Sequence, residues 1–279
     1  MIAATLDSAD GIVMTTDPAT ARERALRALA TRQPLDLAVA VVTAHPDDET
    51  VGLGGAMARL RNLTLVQLTD GAPLEPDVAA RAGFPSRQSY AAARRGELVD
   101  ALAVLVEGRL ARQVFYEIPD GRLADHLAVA VERLVEDLIH VDVVLTHPYE
   151  GGHFDHDAAA FAVQEACARL ARHGAHAPTR LEFTSYHRLH GLLRTGRFLD
   201  DPAAPEIVVP LSAEAARRKE VAFACHRSQA GNLRMFGFGP ERFRAAPTYD
   251  FARPPGGEAM YGMEVWRGLS RAFAGATEA

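Results

Sequence analysis

The order of residues predicts an α/β fold: a doubly wound, mostly parallel, Rossmann-like sheet with helices on both faces. Three observations carry this. Short apolar runs rich in Val, Leu and Ile alternate with segments of helical period, the pattern of βαβ units. The runs are of strand length and the intervening segments of helix length. Two clusters of acidic and histidine side chains follow two of the runs, and open sheets of this kind bind ligands beyond the carboxyl ends of their strands.

Taken in order, residues 1 to about 17 have no clear period. From Pro18 to Arg32 the chain is rich in Ala, Leu and Arg, with Ala25, Leu26 and Leu29 at helical spacing, which predicts an amphipathic helix laid on the domain. Strands are predicted at Leu37 to Thr43, Leu63 to Thr69, Gln113 to Ile118, Val141 to Thr146 and Leu181 to Tyr186. Helices are predicted near 51–61, 87–107, 124–139, 156–173 and 212–226. Right-handed crossovers then give the doubly wound sheet. A length of 279 residues suits one large domain, with an N-terminal arm and helix over 1–36, a core over 37–226 and a wrapping segment over 227–279. Within the last segment, Gln229 to Met263 is dense in Gly, Pro and aromatics and too long for a plain connector. It is expected either to wall the active face or to contact a second copy of the chain.

Hydrophobic residues make up 48% and charged residues 24%, so the core needs no covalent staples. With 30 basic against 36 acidic residues the net charge is −6, which argues against nucleic acid or anionic lipid as a partner. Cys167 and Cys225 lie far apart with no CxxC pairing, which suits a reducing compartment. The start of the chain lacks the basic region of a secretory signal, and no apolar run is long enough to span a membrane. A cytoplasmic protein is expected.

The first cluster is Ala44-His45-Pro46-Asp47-Asp48-Glu49, at a strand-to-helix turn. Pro46 presets that turn. A single Asp would serve as a helix cap; three carboxylates beside an imidazole repel one another unless a cation or proton intervenes. The second cluster, His147 to Asp157, also joins a strand to a helix. It holds His153, Asp155 and His156, with Gly151 and Gly152 allowing a close bend. Zinc takes imidazole and carboxylate ligands, and a hydrolytic site uses three of them with the fourth position open to water. His45, Asp48 and His156 meet that count.

The two stretches AHPDDE and GGHFDHD resemble the turns of the LmbE-like, or PIG-L, family of zinc-dependent N-acetylglucosaminyl deacetylases. The resemblance extends over about 37 to 265, including Arg94-Arg95-Gly96-Glu97 and Asp120-Gly121. It implies Zn²⁺ on His45, Asp48 and His156, Asp47 as general base, His153 as stabiliser of the tetrahedral intermediate or acid, and Asp155 as support for the histidines. It also implies that Arg94 and Asp120 hold sugar hydroxyls. Phe154 stands where the family usually has Pro, and Gly151 stands where some members carry a Tyr that helps the oxyanion. Tyr149 is the nearby candidate to replace that Tyr.

The implied activity is removal of an N-acetyl or related N-acyl group from an amino sugar or sugar-containing small molecule. The alternatives are a zinc amidase on a non-sugar conjugate and a metal-binding relative without turnover. Homo-oligomerisation is left open. A nucleotide-binding reading of Gly52-Leu53-Gly54-Gly55, with Asp70 ending the next strand, is disfavoured because Met57 fills the sixth position and three carboxylates would face the pyrophosphate. No GxSxG stands at a strand end to suggest a serine hydrolase.

Overall fold

The computed structural model describes residues 17–107 and 110–278, so the arm read from residues 1 to about 17 lies almost wholly outside the described residues. In chain order the elements are α1 (Pro18–Thr31), β1 (Leu35–Thr43), α2 (Asp48–Met57), β2 (Leu60–Pro73), α3 (Pro76–Arg81), α4 (Arg87–Leu105), β3 (Leu110–Asp120), α5 (Leu127–Leu138), β4 (Val143–Thr146) and α6 (Phe154–Arg172). These are followed by β5 (Thr179–Phe183), β6 (Tyr186–Leu189), β7 (Leu192–Thr195), β8 (Ile207–Val209), α7 (Ala213–Cys225), α8 (Ala230–Leu233), β9 (Glu241–Ala245) and α9 (Met263–Glu278).

The main sheet has the order β3-β2-β1-β4-β5-β9-β8. Strands β1 to β5 pair in parallel, while β9 runs antiparallel to both β5 and β8. The doubly wound, mostly parallel sheet is therefore observed, with an antiparallel edge. The chain steps outward from β1 to β3 and then returns to β4 on the other side of β1. The switch point thus falls between β1 and β4, the crevice where such sheets bind ligands. The turn after β1 carries His45 to Asp48, and the loop after β4 carries His147 to His153.

Alternation along β1 divides the core. Val39 and Val41 face a layer containing Leu53 and Met57 of α2, Leu98 and Leu102 of α4, and Ala25 and Leu29 of α1. Ala40 and Val42 face a layer containing Leu134 of α5, Phe161 of α6 and Phe273 of α9. Strands buried on both faces read as continuous apolar runs, which is why the sequence marks them so clearly.

Two expected elements differ. The run 181–186 is not one strand: β5 stops at Phe183, and Tyr186 begins the separate β6–β7 hairpin. Segment 227–279 contributes β9 to the main sheet, and its later part wraps the loop after β4, with Met260 N donating to Gly151 O at 2.8 Å. The glycines of 52–55 serve packing. A Cβ on Gly52 would lie 2.1 Å from Phe183 Cδ2, and one on Gly55 2.4 Å from Leu211 Cδ2.

Candidate active site

The two turns are stitched to each other before any chemistry is considered. Thr146 Oγ1 donates to Val42 O at 3.0 Å, and Ala44 N donates to His147 Nε2 at 3.1 Å. His45 N donates to Asp48 Oδ2 at 2.7 Å, closing the first turn on itself. Asp47 makes no side-chain cap of α2; its Oδ2 instead accepts from Arg94 Nη2 at 3.0 Å. Arg94 also donates to Gly71 O at 2.7 Å and Pro46 O at 3.2 Å. Gly71 has φ +68, and a Cβ there would sit 2.7 Å from both Arg94 Cζ and Pro46 Cδ, so only glycine admits this clamp.

Among the described residues, three overlapping groups of ligating atoms, each within 4.8 Å, form at these two turns and the end of β3. They are His45, His153 and His156; Asp48, His147 and His156; and His45, Asp120 and Asp155. Hydrogen-bond accounting separates them. His147 Nε2 takes the Ala44 amide, so its lone pair is occupied. His153 Nδ1 takes the Asp155 amide at 3.2 Å, which leaves the proton of the neutral ring on Nε2. Asp155 accepts Gly121 N at 2.7 Å and Leu123 N at 3.3 Å, bracing the turn after β3.

The remaining atoms converge. His45 Nδ1 lies 3.2 Å from His156 Nε2, His156 Nε2 lies 3.2 Å from Asp48 Oδ1, and His45 Nδ1 lies 3.5 Å from Asp48 Oδ2. Tetrahedral ligands at zinc bond lengths of about 2.0–2.1 Å stand about 3.3 Å apart. His156 Nδ1 faces Ser185 Oγ at 3.5 Å, and His45 Nε2 faces Asp120 Oδ1 at 3.2 Å and Asp155 Oδ2 at 3.3 Å. The far nitrogen of each ring is therefore occupied, and the near lone pairs point at each other and at a carboxylate. This donor set fits a divalent cation.

Electrostatics agree with the geometry. Burial depresses His45, but the Asp120 charge and hydrogen bonds from Asp120, Asp155 and Asp48 outweigh it and hold the ring well above its ordinary value. Burial and the neighbouring His45 and His156 push His153 down to about 3, so it is a neutral donor near pH 7. Burial lifts Asp47 to about 7 against the opposing pull of Arg94. Burial would raise Asp48, yet His156 and His147 hold it well below the usual range.

These groups open into a pocket of 290 Å³ whose walls include His45, Asp47, Asp48, Arg94, Asp120, His153 and His156. All the residues expected from sequence line it except Asp155, which is fully buried behind it. Val51, Tyr186, Gln229, Asn232, Leu233, Met235 and Phe236 complete the lining. The 229–263 segment thus supplies a wall, as one of its two expected roles required. Tyr186 and the wall residues carried no motif and were missed; the aromatic-rich composition of the segment was the only signal.

Two expectations are corrected, and Phe154 finds its place. Glu49 does not join the carboxylate cluster: it is fully buried with its Oε1 accepting from Thr50 Oγ1 at 2.6 Å and lying 3.8 Å from His226 Nε2. Tyr149 does not replace the missing oxyanion Tyr, since its hydroxyl donates to Arg253 O at 2.8 Å and accepts from Trp266 Nε1 at 2.9 Å, inside the aromatic core. Phe154 does not line the pocket; it stacks on His153, with centroids 4.4 Å apart, and braces that ring from behind. Gly151 has φ +76, and a Cβ there would lie 2.9 Å from Pro255 Cγ, so the wrapping segment occupies the space a side chain would need.

Residues 40–167 match the model of the family described as GlcNAc-PI de-N-acetylase, PIG-L. The match is shorter than the 37 to 265 expected from sequence and stops within α6. Among solved structures, the A40926 pseudoaglycone deacetylase Dbv21 superposes with a TM-score of 0.56 at 17% identity, covering 77% of this chain and 98% of that one. The zinc-inhibited form of teicoplanin deacetylase Orf2 gives 0.53 at 17% identity, with 76% and 99% covered. The 4-carboxy-2-hydroxymuconate hydratase GalB from Pseudomonas putida KT2440 gives 0.52 at 20% identity, with 76% and 97% covered. At these identities the likeness is one of fold. No curated protein sequence matches the chain. Through residues 40–167, which hold both acidic turns, the chain is similar to the PIG-L family.

Proposed function

We propose that this protein is a zinc-dependent hydrolase that removes an N-acetyl or related N-acyl group from an amino sugar or a sugar-containing small molecule. The observation that carries the reading is the convergence of His45 Nδ1, His156 Nε2 and the Asp48 carboxylate at tetrahedral edge spacing, in a pocket that also presents Asp47. Zinc held by these three residues would polarise an acyl carbonyl and lower the pKa of water toward neutrality. Asp47, fixed by Arg94, takes the proton from the attacking water as general base. The neutral His153 directs its Nε2–H at the developing oxyanion and lends no positive charge. The departing amine then recovers the proton from Asp47. Arg94 and Asp120 line the same pocket and bound the sugar end of the substrate.

The fold alone does not select this chemistry, because a hydratase shares it. The family match over both turns and the deacetylases among the similar structures favour amide hydrolysis. The wall from 229 to 236 is half apolar, which keeps a non-sugar amide as the second reading. Zinc content by elemental analysis, together with amine release from a panel of N-acetylated amino sugars and simple amides, tests both. Turnover of the sugars that is lost on chelation and regained with zinc is expected. Silence across the panel with zinc bound would favour a metal-binding relative without turnover. A small-molecule substrate is expected in a single copy of the site; no helix among the described residues is long and apolar enough to cross a membrane. A cytoplasmic site of action is consistent with the free Cys167 and Cys225.

A further inference from the structure

Of the six tyrosines in the chain, five have an engaged hydroxyl. Tyr116, Tyr149, Tyr249 and Tyr261 donate to Asp137, Arg253 O, Glu182 and Asp157, and Tyr90 accepts from Gln229. Tyr186 is the exception. Its hydroxyl meets no hydrogen-bond partner among the described residues and keeps contact with solvent at the wall of the active pocket. A phenol so placed is a donor that waits for an acceptor from the substrate. Its position is fixed from several sides. Tyr186 opens β6 and pairs with Thr195 of β7. Its ring stands edge-on to His156 with centroids 5.5 Å apart, and Phe236 packs on it at 6.0 Å. Gly152 makes room for the strand: a Cβ there would lie 2.0 Å from Tyr186 O, so this backbone presses on the turn that leads to His153. Burial raises the pKa of the hydroxyl, and the charges that act on it next are those of His45, Asp48, Asp47 and Asp120, which surround the proposed ion and base.

We infer that Tyr186 is a further catalytic residue, whose hydroxyl donates a hydrogen bond to the acyl oxygen of the substrate as the tetrahedral intermediate forms. This rests on the zinc hydrolase reading above and adds a donor to it. An oxyanion has three lone pairs, more than a metal ion and the Nε2–H of His153 satisfy between them, and Tyr186 meets the one that remains. The phenol keeps its proton throughout, so the proton taken from water still passes through Asp47 to the departing amine. A donor held in advance by a strand and two rings needs no reorganisation at the moment of reaction, which is what makes such contacts effective.

The test is Tyr186→Phe in the full chain, which keeps the ring against His156 and removes the hydroxyl alone. Loss of one donor of this kind lowers kcat by about 10²–10³-fold, and that loss is expected in steady-state kinetics on the best panel substrate. KM should change by less than about threefold, because the contact strengthens only as charge develops on the oxygen. Acetate, the product of N-acetyl hydrolysis, brings a charged oxygen to the same place. Its affinity by isothermal titration should fall about tenfold or more in the variant, the worth of a hydrogen bond to a charged group. Zinc content by elemental analysis and the circular dichroism spectrum should match the parent. A kcat within twofold of the parent, a rise in KM with kcat unchanged, unaltered acetate affinity, or loss of zinc from the variant would overturn the inference, while a zinc-loaded, active parent kept the functional reading in place. A folded, zinc-loaded parent with no turnover on any panel substrate would overturn both together.

Discussion

Asp47 and Asp48 are neighbours in sequence with opposite electrostatic fates. Asp48 is pulled down by two histidines, while burial lifts Asp47 to about 7 against the pull of Arg94 and, more weakly, His45. Asp47→Asn should lower kcat by about 10²–10⁴-fold, the usual worth of a positioned base, with zinc content unchanged by elemental analysis. The sign of the pH dependence follows from the same residue. Below its pKa Asp47 holds a proton and accepts no other, so kcat/KM should fall as pH falls below that point, and a bound cation should move the limb to lower pH. Arg94→Gln removes a stabilising charge and should shift the limb upward; a pH profile of kcat/KM in which the limb moves down or stays in place would contradict the pairing. At this scale the sequence is informative where residue types cluster, since His45, Asp47, Asp48, His153 and His156 are all legible from two short turns. It does not show direction. Glu49 adjoins Asp48 yet points into the core, because successive residues in the first turn of a helix face different ways.

Helix α4 is the element that joins the chemistry to the wall. Tyr90, Arg94 and Glu97 lie on one face at spacings of four and three. Tyr90 Oη accepts from Gln229 Nε2 at 2.6 Å, Arg94 clamps Asp47, and Glu97 accepts Ser228 N at 2.9 Å and Ser228 Oγ at 2.7 Å. Ser228→Ala should loosen the wall at its root, raising KM more than it lowers kcat, as steady-state kinetics on the best panel substrate would show. The opposite split would place Glu97 and Ser228 outside substrate binding. On the neighbouring helix, Gly52→Ala drives a methyl into Phe183 and should cost about 1–3 kcal/mol, the usual price of overpacking, read by urea denaturation. The central strands were legible because both faces are buried. The antiparallel strand β9 was not: Glu241–Ala245 reads ERFRA, and the charges of Arg242 and Arg244 disguise a strand whose ion pairs, to Glu206 and to Glu182 and Glu150, lie elsewhere in the chain.

Across the whole molecule, buried titratable groups make stability depend on pH. His226 is fully buried, with Nε2 3.0 Å from Thr50 Oγ1, and burial followed by the Arg94 charge lowers it to about 3. Its folded value lies below the ordinary 6.5, so its contribution is fully present above about 6.5 and is lost as pH falls toward 3. Urea midpoints at pH 7.5 and 5 should therefore draw closer together in His226→Gln than in the parent; an unchanged difference would show that His226 does not carry the effect. The architecture was legible as a class, because alternation of period is local, whereas the antiparallel return of β9 depends on contacts between residues about sixty positions apart, such as Phe183 and Phe243. The lining of the pocket divides the same way. His45, Asp47, Asp48, Arg94, Asp120, His153 and His156 all fall within residues 40–167, while Tyr186 and the residues from Gln229 to Phe236 fall after them. The candidate ligands and base thus lie in one stretch of the chain and much of the pocket wall in a later one, so a graft that exchanges only the later stretch between relatives should reshape that wall while keeping His45, Asp47, Asp48, His153 and His156.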